Sequence, residues 1–263
     1  MSAPAISGPD PTVGATAERV STREVREAAF RALRAAGASA GEAAAAATTV
    51  LEAEIQGWGG LSALLHEIAT IPTDAPGPVS ISHHALSIVD DPSRRGPLLL
   101  GRPVFDLAAA QAMEAMPVRM FVRGFAHHRV LLCLALELAE RTRAMTVLVE
   151  VDRGGTTTCA VACTCDGRVL APDENAVLDH EIPWPPRSDP AASCGGLQVT
   201  DGPHAEPATE RWHVLSTPRE RTLHHADALR HGIYVPLDTW ASVNRASRRF
   251  LVPEHHDALT EQG

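Results

Sequence analysis

The sequence predicts an α/β fold: an N-terminal helical pair followed by a mixed sheet that contains a βαβ unit. Two observations carry this. Residues 107–151 read in turn as helix, strand, turn, helix and strand, and a strand–helix–strand order makes a βαβ crossover. Upstream, Ser21 with Glu24 and Ser39 with Glu42 have the S-x-x-E spacing of capping boxes, each opening an alanine-rich helix.

The elements follow in order. Residues 1–20 are rich in Ala, Pro and Gly without a basic start or long apolar core, so they read as a disordered tail and not as a signal peptide. Residues 21–71 form the helical segment, and Gly37 suits the stop between its first two helices. After a loop rich in Pro and Gly (72–78), the central α/β segment spans 79–171. Within it, LAAAQAMEAM (107–116) is a helix ended by Pro117, VRMFV (118–122) a strand, Arg123–His128 a turn, VLLCLALELAERTRA (130–144) a helix, and MTVLVEV (145–151) a strand. The unit predicts VRMFV and MTVLVEV as neighbouring parallel strands joined by a right-handed crossover. A polar turn at the carboxyl end of such a strand is where open α/β sheets hold ligands, which makes His127 the leading candidate. Residues 172–229 read as irregular and loop-rich, since 172–196 alone carries five prolines. Residues 230–263 form a C-terminal helix and tail, expected to pack with the N-terminal segment. No internal repeat is present.

Composition excludes several classes. The 23 basic residues are all arginine, which rules out lysine Schiff bases, lysine-anchored pyridoxal phosphate and lysine-dependent phosphate loops. A net charge of −9 argues against a nucleic-acid partner. No apolar run approaches the roughly 20 residues needed to cross a bilayer. Five cysteines, an odd number, fit reduced thiols, and the expectation is a soluble cytoplasmic protein.

Cys159, Cys163 and Cys165 fall on one face if TCAVACTC is a strand. A metal or redox site is one reading. The spacing is unlike a C-x2-C knuckle, and one strand cannot supply tetrahedral geometry, so small buried hydrophobes are the favoured reading and no metal is expected. The histidines include four adjacent pairs, 83–84, 127–128, 224–225 and 255–256. Neighbours on a strand point to opposite faces and no H-E-x-x-H occurs, so surface histidines account for the pairs outside 127–128.

The flank LSIVDDPSRRGPLLLGRPVFDLAAAQAMEAMPVRMFVRGFAHH (86–128) resembles the malate/L-lactate dehydrogenase-like family of NAD(P)-dependent 2-oxo-acid and imine reductases. Val89, Asp90 and Gly96 match its "VDG…G" strand–loop, and Val122, Arg123 and His127 match "VRNSNHFG", whose histidine lies beside the nicotinamide. Residues 21–60 are similar to the family's opening helix pair, 154–170 to "GTNPIAIAVPTxDG", and 230–250 to its terminal "REGIPL…W" helix. The blocks keep the family's order over most of residues 21–250.

The chain also departs from the pattern. The catalytic "GVDSHG" turn reads Gly57, Trp58, Gly59, Gly60, Leu61, Ser62, without the histidine; His66 lies further along, on the next helix. No glycine follows His127 and His128, and the "P.GG.KG" cofactor segment is missing. The resemblance therefore implies a truncated form of the family fold, similar to its short uncharacterised relatives. It implies His127 as proton donor, Arg123 and His128 at the substrate, and Gly155, Thr156 and Thr157 at the cofactor. It implies a homodimer and a small 2-oxo acid, 2-hydroxy acid or cyclic imine as substrate. The departures imply no NAD(P)H or weakly bound NAD(P)H, with hydride transfer in doubt. A non-catalytic binding or assembly protein on the same scaffold is the alternative.

Overall fold

The computed structural model describes residues 17–71, 78–83, 87–91, 95–123, 128–151, 157–172, 194–200 and 212–251. The described residues begin with a short strand β1 (Ala17–Val20), which corrects the last four residues of the expected tail because Val20 is buried there. They continue into α1 (Thr22–Ala35), α2 (Ala40–Ile55) and α3 (Gly60–Thr70). Both expected capping boxes form. Glu24 N donates to Ser21 Oγ at 3.2 Å while Ser21 N donates to the Glu24 carboxylate at 2.9 Å, and Ser39 with Glu42 repeats the pattern at 3.3 and 2.9 Å. Gly37 makes the turn between α1 and α2 with φ +104°, where a side chain would be strained.

Next come β2 (Ser80–His83), β3 (Ser87–Asp90), α4 (Pro97–Glu114), β4 (Val118–Arg123), a 3-10 turn (His128–Leu131), α5 (Leu132–Thr142) and β5 (Met145–Val151). After these follow β6 (Thr157–Cys163), β7 (Val169–Pro172), β8 (Cys194–Thr200), β9 (Trp212–Ser216), α6 (Pro218–His231), β10 (Ile233–Pro236) and α7 (Leu237–Arg248). The expected helix over 107–116 is the second half of α4, which starts ten residues earlier and runs through Pro103.

Eight strands form one mixed sheet in the order β2-β3-β4-β8-β5-β6-β7-β9, and β1 pairs antiparallel with β10 as a separate ribbon. The sheet corrects the expected pairing. β4 and β5 share a sheet and a direction, but β8 lies between them and is antiparallel to both. The βαβ unit with adjacent strands is β3–α4–β4, in register Ser87↔Met120 and Val89↔Val122. Residues 172–229 are likewise not wholly irregular, because they hold β8, β9 and α6. Burial accounts for the central place of β8: Leu197 and Val199, alternate residues on its helix-facing side, are fully buried.

The main core lies between this sheet and the helices. Met120, Val122, Leu148, Val161, Leu197 and Val199 meet Leu131, Leu132, Leu134 and Leu138 there. The opposite sheet face carries a smaller cluster of Phe121, Val149 and Ala160, joined by Ile88, Val147 and Trp212. α7 lies along α1, with Phe30 and Phe250 meeting edge to face at 6.4 Å. No described helix is long and apolar enough to cross a membrane.

Candidate functional site

Strand directions gather several chain segments at one end of the sheet. β3, β4 and β5 finish there, while β6 and β8, antiparallel to β5, begin there. One row of backbone partners crosses that end: Arg123 opposite Cys194, Cys194 opposite Val151, and Val151 opposite Thr157. Three inter-strand spacings separate Arg123 from Thr157, roughly 14 Å. The backbone thus brings together two residues that the sequence assigns to substrate and cofactor. His128 opens the 3-10 turn leading into α5. His127, Gly155 and Thr156 lie outside the described residues.

Asp91, just after β3, and Arg95, just before α4, are joined to each other. Asp91 is buried, and Arg95 donates to it from its backbone N at 2.9 Å and from Nε at 2.8 Å. Arg95 Nη1 also reaches Glu42 at 3.3 Å, tying the approach to α4 to the start of α2. These carboxylates hold the Arg95 guanidinium above its ordinary pKa.

At the start of α4, Glu67 of α3 is 1% exposed and caps the helix. Gly96 N donates to its carboxylate at 2.8 Å, Leu98 N at 3.2 Å and Leu99 N at 3.4 Å. Burial pushes Glu67 up to about 7, against the pull of those three N–H groups. A side chain at Gly96 would land on the carboxylate. A helix start can bind a phosphate, but this one is filled by the protein's own carboxylate. Glu54 serves the start of α3 in the same way: Leu61 N donates to it at 2.8 Å, and burial raises its pKa.

The turn where the resemblance places a second histidine is closed to one. Gly59 has φ +77°, and a side chain at Gly60 would collide with the Val50 carbonyl oxygen. Leu61 is 1% exposed. His66 lies on the exposed side of α3.

Sequence reasoning missed Arg119. It stands opposite Gln198 on the sheet face that bears Phe121, and its Nε is buried without a hydrogen-bond partner among the described residues. Gln198 is itself buried. The signal was an arginine at an alternate position in an otherwise apolar strand, and a buried N–H of this kind is satisfied by an acceptor such as a carboxylate.

The cysteines divide. Cys163 is wholly buried on the core face of β6, with its thiol pKa raised by burial, as expected of a small hydrophobe. Cys165 lies beyond the strand in an exposed turn, so the expected shared face does not extend to it. Among the described residues, no group of three His, Cys, Asp or Glu side chains is arranged to hold a metal ion.

No protein-family model matches the chain, and no curated protein matches it in sequence. Solved structures do. Malate dehydrogenase from Pyrococcus horikoshii OT3 superposes with a TM-score of 0.61 at 12% identity, over 90% of this chain and 96% of that one. Sulfolactate dehydrogenase from Methanocaldococcus jannaschii gives 0.60 at 9% identity, over 89% and 98%. Delta1-piperideine-2-carboxylate reductase from Pseudomonas syringae pvar. tomato gives 0.52 at 12%, over 87% and 99%. At these identities the likeness speaks for architecture, and the architecture is the malate/lactate dehydrogenase-like fold.

Proposed function

We propose that this chain binds a small carboxylate-bearing 2-oxo acid, 2-hydroxy acid or cyclic imine at the sheet end where β3, β4 and β5 finish, and moves a proton on it. Arg123 clamps the carboxylate through its planar fork, and His127 exchanges a proton with the ligand's oxygen or nitrogen. The observation that supports this most is the backbone row running from Arg123 to Thr157. It puts the end of β4 and the start of β6 at one edge, where open α/β sheets hold ligands. The fold neighbours include dehydrogenases named for malate and sulfolactate and a reductase named for a cyclic imine carboxylate, which supports this substrate class.

A nicotinamide is the cofactor that the neighbours' chemistry suggests, and the described residues fit it poorly. The start of α4 is occupied by Glu67, and the 57–62 turn presents a buried Leu61 in place of a histidine. Titration of the full chain with NADH and NADPH should therefore give dissociation constants weaker than micromolar. Micromolar binding, worth about 8 kcal/mol, would restore hydride transfer as the reaction. The closed 57–62 turn also favours a second reading, a non-catalytic binding or assembly protein on this scaffold. Ligand binding without turnover would select it. We further propose a cytoplasmic homodimer, supported by Leu229 and Tyr234, which are 72% and 58% exposed on neighbouring elements α6 and β10.

A further inference from the structure

We propose that the open cavity lined by α2, α5, α6 and the turn between β6 and β7 binds a small organic ammonium ion. The cavity is separate from the carboxylate site proposed above, since this turn lies at the opposite end of β6 from Thr157. It holds about 610 Å³, a size usual for small-molecule sites. Its walls combine an indole, Trp58, and the apolar Leu136 with four carboxylates, Glu52, Glu137, Glu140 and Asp166.

Three of these acids have a basic partner, and one is left over. Arg221 donates from Nη2 to the Gly167 carbonyl at 2.5 Å and from Nη1 to Ser216 Oγ at 3.4 Å. His225 Nε2 is 2.7 Å from Glu52 Oε2 and so spans α6 and α2. Glu137 is paired with Arg102 at 2.7 Å and Asp166 with Arg168 at 2.8 Å. Glu140 has no ion pair among the described residues. An uncommitted carboxylate that lines the same cavity as an indole and an apolar side chain is suited to an ammonium group on a hydrophobic stem, which can gain both Coulomb attraction and a cation–π contact. An anion would meet the unpaired Glu140, with only Arg221, two of whose donors are already engaged, to offset it.

The test is calorimetric titration of the full chain with three probes of one shape: 2-phenylethylamine, 2-phenylethanol and 3-phenylpropanoate. The amine should bind with a dissociation constant below about 1 mM, the alcohol about tenfold more weakly, and the carboxylate without measurable heat. Glu140→Gln should weaken the amine about tenfold and leave the alcohol unchanged. Leu136→Trp, which narrows the cavity, should weaken both about tenfold. Equal binding of amine and alcohol would overturn the proposal, as would absence of amine binding up to about 10 mM or amine binding unchanged in a folded Leu136→Trp protein. If Leu136→Trp does not fold, Glu140→Gln decides the matter alone.

Discussion

Glu67 shows how a single residue sets a local architecture. A carboxylate with 1% exposure is costly unless its oxygens are satisfied, and three N–H groups at the start of α4 satisfy them. The sequence held a signal for it: Glu67 continues the line of Leu61 and Leu64 on the buried side of α3. An isolated glutamate on an apolar stripe reads as a surface position unless its partner, 29 residues away, is known. The raised pKa fixes the sign of a pH effect. Between its ordinary value of 4.5 and about 7, the folded protein holds a proton that the unfolded chain releases. Stability should then fall as pH rises through that window, by about 3 kcal/mol at most from this group. Melting temperatures from pH 5 to 8 should show this decline, and Glu67→Gln should flatten it; an unchanged slope in the variant would remove Glu67 as the cause. At the neighbouring position, Gly96→Ala drives a methyl group onto the Glu67 carboxylate and should cost about 1–3 kcal/mol in denaturant unfolding.

At the scale of elements, local rules were legible and pairings were not. Ser21 with Glu24 and Ser39 with Glu42 announced α1 and α2, because a capping box is a contact within four residues. The same rule was available at Thr217 and Glu220, where α6 begins with a formed capping box and a proline in its first turn. The prolines upstream concealed it. Pro103 similarly hid the first half of α4. β8 was missed because it opens Cys-Gly-Gly after a proline-rich stretch, a composition that reads as loop. Its place between β4 and β5 depends on partners about 50 and 75 residues away, and no local pattern encodes that choice. Two measurements follow. Thr217→Ala should lower stability by about 1 kcal/mol, seen as a shift in denaturant midpoint. Amide hydrogen exchange should find Leu197 and Val199 among the slowest in the chain; exchange as fast as in an open loop would contradict a central β8.

Across the whole molecule, the order of blocks carried the fold even though the pairwise detail did not. A strand, a helix and a second strand between 87 and 123, with helices before and after, fix the side of the sheet on which ligand loops gather. Arg123 and Thr157 were assigned separately from short motifs, and the topology sets them on one row. Arg119 and Glu67 escaped, since each is defined by what the fold buries around it. The proposed dimer should appear as twice the chain mass of 27.9 kDa in light scattering at micromolar concentration. His127→Ala should lower turnover roughly a hundredfold or more on any substrate found, with folding nearly intact. Nearest to the centre of the account is a thermal-shift screen of malate, sulfolactate, pyruvate and Δ1-piperideine-2-carboxylate against the wild-type chain, Arg123→Ala and His127→Ala. At least one of these acids should raise the wild-type melting temperature, with the shift lost in Arg123→Ala and kept in His127→Ala. A wild-type protein indifferent to all four, or an equal shift in Arg123→Ala, would contradict a carboxylate site at this end of the sheet.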